Sequence, residues 1–247
     1  MEIHHPLSNL RISFETLPHM HSRDLILHFH GAHDLVQKAV HGRFPRAIAA
    51  SVNLNGLSGA YDAYVGRNSH MMFSTLLAEI QQATDTHRFD SITLSSFSAG
   101  YGAIRALLQE PTNVEIIDQL VLADTVYSSF GEQRNVKEAR PYPRVDQNKP
   151  FIDFAKLAVR GKKGMVLTHC ELEPEGYSST EEVGALVRDA VGVALELVDE
   201  SWTNDVRIKG HVRKGRFVSV ATRGMQGSDH LAHLRALGTW YRMLPRL

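Results

Sequence analysis

A serine with small residues two positions to either side, Ser96-Phe97-Ser98-Ala99-Gly100, stands where a strand-like run (SITLSSFS, 91–98) meets a helical one (AGYGAIRALLQE, 99–110). A strand that passes straight into a helix forces a sparsely populated backbone conformation on the joint residue. The neighbours on both sides must then be small, because strand and helix pack closely there. The joint side chain stands above the carboxyl end of the sheet, beside the unpaired N–H groups of the helix start. A hydroxyl so placed can attack a carbonyl carbon if a base takes its proton, an acid orients the base, and donors hold the oxyanion. A tight connecting turn would use the same small residues.

The base is expected as a histidine following the last strand. GMQGSDHLAHL (224–234) supplies His230 at the boundary of loop and helix, whereas His233 falls inside the helix and reads as packed or solvent-facing. A second chemistry competes. His28, His30 and His33 in HFHGAHD (28–34) form an H-x-H-x-x-H array, and imidazoles at that spacing can converge on zinc at a strand end. Ala32 occupies the place where a carboxylate ligand would complete such a site, so no metal is expected.

These residues need a scaffold. Strand-like runs at 24–31, 46–56, 91–98, 117–125, 164–170 and 215–224 alternate with helical spacing at 69–82, 99–110, 151–161, 180–192 and 229–244. Pro111 ends the third segment's helix. The alternation predicts an α/β fold, a mainly parallel sheet with helices on both faces. The 247 residues, 43% hydrophobic, read as a single domain over 1–247, with a short cap expected at 126–163. NLNGLSGAYDAYVGRN (53–68) reads as a Gly- and Asn-rich loop that lines a pocket rim with Tyr61 and Tyr64, or as plain surface.

Through element order and motif positions, residues 24–247 resemble the α/β-hydrolase superfamily. The resemblance implies serine hydrolase chemistry with Ser98 as nucleophile and His230 as base. It implies that the backbone N–H groups of Ala32, after the His-Gly turn, and of Ala99 stabilise the oxyanion. It implies the acid at one of two places. One is after the strand before the last, at Glu173 or Glu171 in THCELEPEG; the other is Asp124 in LVLADT. A carboxylate directly after an apolar run is unfavourable unless paired, whereas the surroundings of Glu173 are acidic throughout, as in a solvated loop; Asp124 is therefore favoured. The substrate expected is a small acyl compound: a carboxylic ester, an amide or a thioester. Transfer to an alcohol or amine, metal-dependent hydrolysis and noncatalytic small-molecule binding are the alternatives.

Charge and cysteine content narrow the classes further. Lys+Arg and Asp+Glu balance at 27 each, so no global field draws the chain to nucleic acid. The locally basic stretch 134–163 reads as solvated surface. The single cysteine, Cys170, excludes an internal disulfide and reads as packed. There is no Gly-rich nucleotide-binding pattern, so no cofactor is expected. No segment reads as a signal or membrane span, and a soluble, cytoplasmic protein is expected.

Overall fold

The computed structural model describes residues 2–5, 9–14, 22–66, 68–131, 141–203 and 205–244. In chain order it contains β1 (Glu2–His5), β2 (Leu10–Ser13), β3 (Ser22–Phe29), α1 (His33–Arg43), β4 (Ile48–Val52), α2 (Ser58–Val65) and α3 (Ser69–Thr84). There follow β5 (Arg88–Phe97), a 3-10 turn (Ser98–Gly100), α4 (Tyr101–Leu107), α5 (Pro111–Ile116), β6 (Gln119–Ala123), α6 (Val145–Val159) and β7 (Gly164–His169). The chain continues with α7 (Thr180–Ala190), β8 (Glu196–Thr203), β9 (Val206–Lys214), β10 (Phe217–Thr222), α8 (Gly227–Arg235) and α9 (Leu237–Met243).

The strands form one sheet in the order β1-β2-β4-β3-β5-β6-β7-β10-β9-β8. Strands β4, β3, β5, β6, β7 and β10 run parallel, and an antiparallel pair extends each edge. The central strands are apolar on both faces because both are covered. Leu25, Leu27 and Phe29 face a layer that includes Phe73, Ile80, Ile104, Phe151, Phe154 and Val187. Ile26, Val121 and Ala123 face the other, with Val36, Val40, Leu237 and Trp240. No helix among the described residues is long and apolar enough to cross a membrane.

Several elements depart from the sequence expectation. The presumed loop at 53–68 contains α2, whose Tyr61 is fully buried. Pro111 does not simply stop a helix; it occupies the first turn of α5, where its missing N–H has no intrahelical role. Part of the expected cap at 126–163, Val145–Val159, is instead α6, a crossover helix whose Phe151 and Phe154 pack in the layer below the sheet. Residues 132–140 of that expected cap lie outside the described residues. The edge pair β8–β9 was not anticipated: β8 is largely exposed and carries three acids, Glu196, Asp199 and Glu200.

Beneath the carboxyl ends of the strands lies a buried set of histidines. His28 Nε2 donates to His30 O at 3.0 Å and its Nδ1 meets Ser95 Oγ at 2.9 Å, which in turn accepts Tyr241 O–H at 3.0 Å. His233 lies between Thr168 Oγ1 (2.7 Å) and Thr222 Oγ1 (2.9 Å). His169 accepts an Arg188 N–H at 2.6 Å. Burial pushes His28 down to about 3 and lowers His169 and His233 as well, so all three are neutral in the fold.

Because these folded-state values lie below the ordinary value near 6.5, the unfolded chain takes up protons first as pH falls. Stability is therefore full above about pH 6.5 and declines below it, His28 alone contributing a loss of about 2–3 kcal/mol by pH 4.5. Urea unfolding midpoints measured from pH 7.5 to 4.5 should fall steadily below 6.5. A midpoint that stays flat to pH 5 would contradict neutral burial.

Candidate active site

Three adjacent parallel strands end in the same way. The first residue beyond β3, β5 and β6 is His30, Ser98 and Asp124, with φ of 65°, 48° and 44°. Non-glycine residues seldom occupy this left-handed region, and such strain gathers at functional sites. At Ser98 the conformation joins β5 to the 3-10 turn and α4. The small neighbours are required by distance: a Cβ at Gly100 would lie 2.0 Å from Phe29 O, and one at Gly102 would lie 2.2 Å from Ser58 O. Ser96 is wholly buried, and its hydroxyl has no hydrogen-bond partner among the described residues, so size is what the position needs. Thr125 Oγ1 donates to Ser98 O at 2.6 Å and fixes the end of β5 against that of β6.

Asp124 is fully buried, and the structure brings it to His230: Nδ1–H donates to Oδ2 at 2.6 Å. Cys170 N–H (3.0 Å) and Thr180 O–H serve Oδ1, and the Cys170 thiol serves Oδ2 at 2.9 Å. Burial alone would raise this carboxyl. The hydrogen bonds donated by His230 and Cys170 outweigh it and hold Asp124 well below the usual carboxylate range. Phe97, which leads into Ser98, stacks on the His230 ring with centroids 4.5 Å apart, and Tyr127 approaches the same ring edge-on at 6.4 Å. No hydrogen bond joins Ser98 to His230; the Phe97 stacking is what brings His230 beside the β5 joint.

The His-Gly turn is clamped. Gly31 N–H donates to Asn53 Oδ1 at 2.8 Å, and Asn53 Nδ2 donates back to Gly31 O. His30 Nδ1 meets Tyr61 O–H at 2.9 Å, which also accepts Leu54 N–H at 3.0 Å. Ala32 begins α1 as its N-cap, and Ala99 lies in the 3-10 turn, so both N–H groups sit at helix starts where no intrahelical acceptor serves them.

The remaining sequence candidates lie apart from this arrangement. Glu173 is exposed in the loop after β7. Glu171 pairs with Lys209 at 2.9 Å and accepts Gly224 N–H at 3.1 Å, tying the loop after β7 to that after β10. His233 packs beneath the site. The three histidines of the H-x-H-x-x-H array do not converge: both nitrogens of His28 are engaged as described, and those of His33 meet Ser13 Oγ and Ser51 Oγ at 2.8 and 2.7 Å. The array is a structural support for the turn. Among the described residues one group has metal-like proximity, Asp124, Cys170 and His233. Its His233 nitrogens are both taken by threonines and its Asp124 oxygens by donors, which does not suit a metal.

Cys170, Thr180, Phe97, Asn53 and Tyr127 were missed as site residues. Only Asn53, in a Gly- and Asn-rich segment after a strand, carried a signal that would have found it.

No family model matches the chain, and no curated protein matches it by sequence. Among solved structures, ferric enterobactin esterase from Salmonella typhimurium superposes with a TM-score of 0.51 at 15% identity, over 98% of this chain and 56% of that one. The chain thus spans little more than half the length of that esterase. A poly(3-hydroxybutyrate) depolymerase from Bordetella parapertussis gives 0.49 at 11% identity, over 100% and 91% of the two chains. S-formylglutathione hydrolase from Staphylococcus aureus gives 0.45 at 12% identity, over 99% and 95%. The parallel sheet with helices on both faces, the strand-to-helix joint at Ser98 and the likeness to the first of these structures together identify the α/β-hydrolase fold in this chain.

Proposed function

We propose that the chain is a serine hydrolase that cleaves a small carboxylic ester through an acyl-enzyme intermediate. The observation that carries this reading is the His230 Nδ1–Asp124 Oδ2 bond of 2.6 Å, at the rim where Ser98 takes its left-handed conformation. Because Asp124 is ionised, Nδ1 is the protonated ring nitrogen, which leaves Nε2 as a lone-pair base.

As Ser98 Oγ bonds to the carbonyl carbon, its proton passes to His230 Nε2, and Asp124 stabilises the imidazolium. The N–H groups of Ala32 and Ala99 hold the oxyanion. Collapse breaks the ester C–O bond, and the leaving alkoxide takes the proton from Nε2 and departs as an alcohol. Water then attacks the acyl carbon with His230 again as base, which releases the carboxylic acid and restores Ser98. Leu57, Met225 and Leu231, each exposed and placed after β4 or β10, offer apolar surface near this rim for an acyl or alkoxy group.

Turnover of p-nitrophenyl esters from acetate to octanoate tests the reading. Ser98→Ala should remove at least 10³-fold of kcat, and Asp124→Asn, which holds the wrong tautomer, on the order of 10⁴-fold. Glu173→Gln should change kcat less than about tenfold. A Ser98→Ala enzyme with wild-type turnover would overturn the assignment, and a larger loss for Glu173→Gln than for Asp124→Asn would move the acid.

The Asn53 clamp makes a separate prediction. An oxyanion donor acts in the transition state, so loosening its turn should lower kcat rather than raise KM. Asn53→Ala should lose roughly tenfold or more in kcat with KM within about twofold. A rise in KM at unchanged kcat would assign Asn53 to ground-state binding instead.

A further inference from the structure

The two oxygens of Asp124 are served unequally. Oδ1 takes strong donors, the Cys170 N–H at 3.0 Å and the Thr180 hydroxyl at the start of α7. Oδ2 takes the His230 N–H at 2.6 Å and, among the described residues, one other donor, the Cys170 thiol at 2.9 Å. The thiol proton is directed at Asp124 Oδ2. Cys170 is 1% exposed, and burial and the Asp124 charge push its thiol up, so it stays a protonated donor through the neutral range. A thiol is a weak donor, and a hydroxyl to a carboxylate is a strong one.

We propose that Cys170 is a positioning residue for the triad: its weak thiol donor holds Asp124 Oδ2 in place while leaving that oxygen's charge for the His230 imidazolium. The inference rests on the triad reading above for its kinetic consequence. A stronger donor on Oδ2 would draw off charge and favour the neutral imidazole. Removing the donor would concentrate charge there and favour the imidazolium. The other titratable and charged groups facing the pair are His233 and Asp229 on α8, His30 beyond β3, Tyr127 after β6, and His169 at the end of β7 with its partner Arg188 from α7. All of them are retained when Cys170 is substituted.

The test is an NMR titration of the His230 imidazole in the wild-type chain, Cys170→Ser and Cys170→Ala, with the acid limb of kcat/KM measured on p-nitrophenyl acetate alongside. The titration midpoint should fall by about 0.5 pH or more in the serine variant and rise in the alanine variant, and the acid limb should move with it. Opposite signs are the signature that a packing role would not produce. Midpoints within about 0.2 pH of wild type in both variants, or shifts of the same sign, would overturn the proposal. Should the serine variant fail to fold, the alanine variant decides alone: no rise overturns it. The titration needs no turnover, so an inactive wild-type chain would count against the hydrolase reading and leave the thiol's effect separately measurable.

Discussion

A carboxylate without solvent must be surrounded by donors, and at Asp124 that requirement ties four elements together. The residue sits at the end of β6, Cys170 follows β7, Thr180 opens α7 and His230 lies on α8. Burial of a lone carboxylate is strongly unfavourable, and removing a single partner from such a group leaves uncompensated charge. The placement of α7 and α8 over the strand ends is thus coupled to the ionisation of one side chain. The Ser179 capping box, with Glu182 returning to the Ser179 N–H, starts α7 at the residue before Thr180 and so delivers its hydroxyl to Oδ1.

The same end of the sheet gathers backbone strain and neutral imidazoles. His30, Ser98 and Asp124 take left-handed conformations in adjacent strands, and each is held by tertiary bonds: His28 to the His30 carbonyl, Thr125 to the Ser98 carbonyl, and Thr168 O to the Asp124 N–H at 3.0 Å. Strain of this kind persists where surrounding contacts over-determine the backbone. The buried histidines suit the task because a neutral imidazole both donates and accepts: His28 links the Ser95 hydroxyl to the His30 carbonyl, and His233 links hydroxyls of β7 and β10, without bringing a charge into the core.

Much of this architecture was legible in residue order. The central parallel strands and most of the helices were found because their apolar runs are long and their periods distinct. The joint at Ser98 was legible because close strand–helix packing imposes small residues two positions away on either side. Asp124 stood out against Glu173 on desolvation: an acid at the end of an apolar run must have partners. What escaped were elements whose burial is one-sided or brief. Strand β8 is mostly solvated, β1 and β2 are four residues each, and α2 opens among glycines and serines that mimic a loop. The supporting groups escaped for another reason. Cys170 reads as packed and Phe97 as one more apolar residue of the run, and only the fold shows that one faces a carboxylate and the other stacks on an imidazole. The histidine array, at which no metal was expected, shows the same limit: spacing along the chain does not reveal that the three rings have separate partners.

The account's central claim is that Ser98 is the nucleophile, and covalent capture tests it most directly. Intact-mass and peptide mass spectrometry after exposure to a fluorophosphonate should find one adduct per chain, on the peptide that contains Ser98, and none in the Ser98→Ala protein. An adduct elsewhere, or labelling that persists in that variant, would contradict the account.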